Sequence, residues 1–60
     1  MSEQENYANL LKNFNKAIEL NSDNGILFLL RGDIYVKMED YGNALKDYDK
    51  SVKLDSNNYI

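Results

Sequence analysis

Residues 7–24 read YANLLKNFNKAIELNSDN and residues 41–58 read YGNALKDYDKSVKLDSNN, an offset of thirty-four with no gap. Eight of the eighteen pairs are identical: Tyr7/Tyr41, Asn9/Asn43, Leu11/Leu45, Lys12/Lys46, Lys16/Lys50, Leu20/Leu54, Ser22/Ser56 and Asn24/Asn58. Phe14/Tyr48, Ala17/Ser51 and Ile18/Val52 keep size or chemistry. Repetition at such a period marks stacked units, each too small to bury its own apolar face.

The residues between the two copies supply a second test. From Gly25 onward the chain reads Phe28-x-x-Arg31-Gly32-x-x-Tyr35, then Tyr41, Ala44-x-x-x-Tyr48, Ser51 and Leu54. With the thirty-four-residue period, this resembles the tetratricopeptide (TPR) family, in which each repeat is a helix, a turn and a second helix. The resemblance implies an all-α fold of three antiparallel helices. It makes residues 1–60 one domain, with 25–58 a full repeat and 3–24 the second helix of a partial preceding one. Gly32 and Ala44 stand where the family uses small residues so that the two helices of a repeat can approach. Arg31 departs from the pattern by replacing an apolar residue, and Ser22 and Ser56 replace the proline that usually follows the second helix.

Composition narrows the function. A chain of sixty residues buries only about 60% of the surface its unfolded form exposes, which predicts marginal stability. It has no cysteine for disulfides or thiolate metal sites, and no histidine, the commonest general base and metal ligand. The net charge is −3, with Lys and Arg scattered among the acids, which argues against nucleic acid and anionic membranes as partners. The longest apolar run, Ile26 to Leu30, is far short of the roughly 20 residues of a membrane span, and the acidic start is unlike a secretory signal. A soluble protein of the cytoplasm is the expectation.

Apolar spacing places the helices. Ser2 and Glu5 form a capping box for a first helix over Glu3 to Leu20, with Tyr7, Leu10, Leu11, Phe14, Ala17 and Ile18 on one face. Turn and cap residues at Asn21 to Gly25 lead into a second helix, Gly25 to Met38, apolar around most of its circumference and therefore expected between two neighbours. Asp40 is the expected N-cap of a third helix, Asp40 to Leu54, with Tyr41, Ala44, Leu45, Tyr48 and Val52 inward.

No residues compose a catalytic, cofactor or metal site. Asp47-x-Asp49, near Glu39 and Asp40, lacks the glycine and terminal glutamate of a calcium loop and reads as solvated helix face. Ser51 has no histidine to activate it. The family resemblance implies recognition of a protein or peptide in a groove, and carried over residue by residue the groove positions are Ile26, Leu29, Asp33, Val36 and Lys37, with Asn57 and Asn58 at the edge. The alternative is that Ile26, Leu29 and Val36 pack on another helix. Part of this sequence also looks like the middle repeat of co-chaperones that clamp acidic chaperone tails, but Leu30 stands in place of their clamp asparagine. Finally, one and a half repeats are fewer than the roughly three that such arrays need. The outer helices are therefore expected to self-associate, through Leu10 and Phe14 at one end and Ser51 and Val52 at the other, a twofold dimer being the simplest closed form, by docking or, as the alternative, by a domain swap through the turn Met38-Glu39-Asp40.

Overall fold

The computed structural model describes residues 3–55, as three helices in the order α1 (Glu3–Leu20), α2 (Gly25–Lys37) and α3 (Tyr41–Asp55). Ser2, and with it the expected capping box, lies outside the described residues, as do Asn57 and Asn58. The second and third helices differ from expectation by a residue at one or both ends, because Met38 and Asp40 are caps.

Each turn is set by short polar side chains and by one strained residue. After α1, the Asn21 amide donates to the carbonyls of Ala17 and Ile18, closing the last turn. Asn24 then caps α2 from extended backbone (φ −92, ψ 99), its side chain accepting from the Ile26 amide at 3.0 Å. At the other end of α2, Asp40 N–H donates to Tyr35 C=O at 2.8 Å and Glu39 N–H to Val36 C=O at 2.9 Å. This pair of bonds defines a Schellman motif, whose pivot adopts left-handed backbone and favours glycine. Here the pivot is Glu39, at φ 60. Asp40 opens α3, its carbonyl accepting from the Ala44 amide and its carboxylate holding the Asn43 side chain at 2.8 Å.

Helix α2 is the middle layer. Among the described residues α1 and α3 each touch α2 and not one another, and the chain is only 14 Å deep along its shortest axis. So thin an arrangement encloses little: Phe28, Ile34 and Ala44 are the buried apolar side chains, and no residue of α1 is buried. The α2–α3 pair is the tighter one. Gly32 lies under the Tyr48 ring, where an added Cβ would stand 2.8 and 3.0 Å from two ring carbons and 3.3 Å from the Ala44 carbonyl oxygen. A side chain at residue 32 would hold the two helices apart.

The expectation that α2 is enclosed holds for only part of its circumference. Ile26, Leu29, Leu30 and Val36 are all exposed, because α1 and α3 cover two flanks and leave the third open.

Candidate interaction site

Arg31 joins all three helices. Its Nε and Nη2 donate to the two carboxylate oxygens of Asp47 on α3, at 2.8 and 2.7 Å, and its Nη1 donates to Asn15 Oδ1 on α1 at 2.9 Å. The guanidinium lies 5.5 Å from the Phe28 ring centre and 5.9 Å from that of Tyr35. Those two residues precede and follow Arg31 by three and four positions on α2, so all three share a face. The hydrogen bond to Asp47 raises the Arg31 pKa further above its ordinary value, against the opposing effect of burial. The charge is therefore fixed, and forked pairing of this kind also fixes orientation.

This hub corrects two expectations. Asp47 is not a solvated helix-face residue: its side chain is only 6% exposed. Ser51 is not an uncovered end surface either, since it is buried, and among the described residues α2 is the one helix that α3 contacts. Ala44, Asp47 and Ser51 follow one another at three and four residues, so they form the single flank by which α3 lies on α2. An acid in that flank, facing a base at an apolar position of α2, was the available sign of the pair.

Two open surfaces remain. The first is the outer face of α2, where Ile26, Leu29, Asp33, Val36 and Lys37 all lie exposed and Leu30 adjoins them. Asp33 is already engaged, accepting a hydrogen bond from the Tyr48 hydroxyl at 2.5 Å, and that bond raises the Tyr48 pKa above its ordinary 10.0. Lys37 enters no ion pair among the described residues. The second surface is the outer flank of α3, where Tyr41, Leu45 and Val52 are 62%, 70% and 60% exposed. Gly42, Leu45, Lys46 and Asp49 line a shallow depression along its edge. Of the other residues expected to self-associate, Leu10 is exposed and Phe14 is half-covered.

Neither surface carries a cluster of metal-ligating side chains among the described residues. No described helix is long and apolar enough to cross a membrane. What both surfaces offer is apolar area beside isolated charges, which suits contact with another polypeptide.

The family model for the tetratricopeptide repeat matches residues 26–58. The chain belongs to the tetratricopeptide-repeat family. No match is found among curated proteins or among solved structures. The repeats of this family are in general protein–protein interaction modules and typically non-catalytic. The matched segment begins one residue into α2 and includes α3, so the close contact of Gly32 with Ala44 and Tyr48 lies within a single repeat.

Proposed function

We propose that the chain is a TPR protein-interaction module in which residues 25–58 form one repeat, α1 supplies the second helix of a preceding one, and the outer face of α2 receives a partner. The observation that carries this reading is the row Ile26, Leu29, Leu30 and Val36, exposed along the helix that both neighbours grip from the other sides. Asp33 keeps its charge but spends one carboxylate oxygen on Tyr48, and Lys37 enters no ion pair among the described residues, so Lys37 is the charge on the row best placed to pair with a partner. A segment combining apolar side chains with a carboxylate fits that pattern.

Selection from a displayed library of amphipathic and extended peptides tests the reading. Binders should carry an acidic residue beside an apolar cluster and should lose at least tenfold in affinity against Leu29→Ser/Lys37→Glu. Peptides that bind this variant as tightly as the parent would place recognition elsewhere.

A second reading is self-association. It is favoured by the outer flank of α3, whose apolar side chains are more exposed than those of α2. Burying them against another copy would remove that surface from water.

A further inference from the structure

The repeated sequence is docked on α2 twice, by flanks that overlap at Phe14/Tyr48 and Ala17/Ser51 and otherwise differ. Helix α3 lies on α2 through Ala44, Asp47 and Ser51, all buried. Their counterparts thirty-four residues earlier are Leu10, Asn13 and Ala17, of which Leu10 and Asn13 are exposed. Helix α1 instead half-buries Tyr7, Leu11, Phe14, Ala17 and Ile18, and among the described residues α2 is the one helix it touches. The α3 counterparts of the four larger residues are Tyr41, Leu45, Tyr48 and Val52, three of which form the exposed outer flank described above. Along α3 these four recur at intervals of four, three and four, the spacing of a continuous seam. The outer flank of α3 therefore repeats, through Tyr41, Leu45 and Val52, three of the four larger residues by which α1 holds α2.

Charge points to the same seat. Asn15 is the residue of α1 that reaches Arg31, and its counterpart in α3 is Asp49. Asp49 is exposed and spends its carboxylate on a surface pair with Lys53 at 3.1 Å, a contact of small worth. Placed where Asn15 stands, it would offer Arg31 a carboxylate instead of an amide.

We infer that α3 of one chain docks on α2 of a second copy in the seat α1 occupies there. Tyr41, Leu45 and Val52 replace Tyr7, Leu11 and Ile18, and Asp49 replaces Asn15 beside Arg31 of the second copy, while Tyr48, the counterpart of Phe14, stays on Gly32 of its own chain. This rests on the self-association reading and gives it a mode. Helix α1 is a displaceable occupant: none of its residues is buried, and its bond to Arg31 is exposed. The contact joins two different surfaces, so copies add head to tail, as an open chain or a closed ring.

Sedimentation equilibrium of the full chain and three variants decides this, with circular dichroism to confirm that each variant folds. The parent's mass should rise with concentration past that of two copies. Val52→Glu, at an exposed position, should abolish association. Asn15→Asp, which gives α1 the carboxylate of its rival, should weaken association roughly two- to fivefold, and Asn15→Ala should strengthen it by a similar factor. A parent of constant monomer mass would remove the self-association reading and this mode with it. Association that survives Val52→Glu would leave self-association standing and overturn the α3 flank. Loss on Val52→Glu with no response to either Asn15 variant would show that the flank is used but that α1 does not compete for its seat, which overturns the exchange.

Discussion

Replacing Gly32 by alanine sets two effects of known size against each other. In a helix interior alanine is better than glycine by about 1 kcal/mol, so in the absence of neighbours Gly32→Ala should stabilise α2. The structure puts the new Cβ 2.8 Å from Tyr48 Cε1, about 0.7 Å inside the closest comfortable carbon–carbon separation. The ring is tethered by its hydroxyl to Asp33, and the Ala44 carbonyl oxygen, 3.3 Å from the new Cβ, is backbone and cannot turn aside. Overpacking of this kind costs about 1–3 kcal/mol. At the middle of that range, about 2 kcal/mol, the clash wins by about 1 kcal/mol, and the melting midpoint should fall by roughly 4–8 °C for a domain this small. Thermal and urea denaturation followed by circular dichroism measures it. Gly42→Ala is the control, since nothing lies within 4 Å of a Cβ there, and it should be neutral or mildly stabilising. In a Tyr48→Ala background the ring contacts vanish, and Gly32→Ala should lose most of its penalty. A Gly32→Ala chain that melts at or above the parent would refute the close approach of α2 and α3.

Asp47→Ala should cost about 2–3 kcal/mol, because it strands the Arg31 guanidinium in a partly buried place. Arg31→Leu/Asp47→Ala should recover much of that loss in denaturant titrations. Glu39→Gly should stabilise the chain by about 1 kcal/mol, since Glu39 holds the left-handed pivot at φ 60 that glycine adopts without steric cost. An unchanged urea midpoint would count against the Schellman turn. The Tyr48 phenol should also make stability depend on alkaline pH. Its folded pKa lies above the ordinary 10.0 because its proton is shared with Asp33, so its contribution is fully present below the unfolded pKa and is lost as pH rises through the folded one. The parent's advantage over Tyr48→Phe in melting temperature should accordingly shrink above about pH 10.

The repeat and the apolar spacing were enough to place all three helices, because both register periodicity along one segment. Turn chemistry was legible for the same reason: Asn24 and Asp40 act on amides two to four residues away. The Arg31–Asp47 pair was not legible, because it joins residues sixteen apart and a charge on a helix reads as solvated unless its face is already known to be covered. Ser51 was misjudged for a related reason. Apolar spacing put Tyr41, Leu45 and Val52 inward, whereas the helix meets α2 through its small and polar flank of Ala44, Asp47 and Ser51 and leaves those three exposed. That choice of flank also conceals the relation between α1 and α3, whose matching residues lie covered in one helix and exposed in the other.

A dilution series of amide NMR spectra locates association most directly. If the outer flank of α3 and the α1 seat form the contact, shifts should move with concentration at residues 41–52 and throughout α1, while Ile26, Leu29 and Lys37 stay fixed. Spectra that do not change with concentration, or changes confined to the outer face of α2, would contradict it.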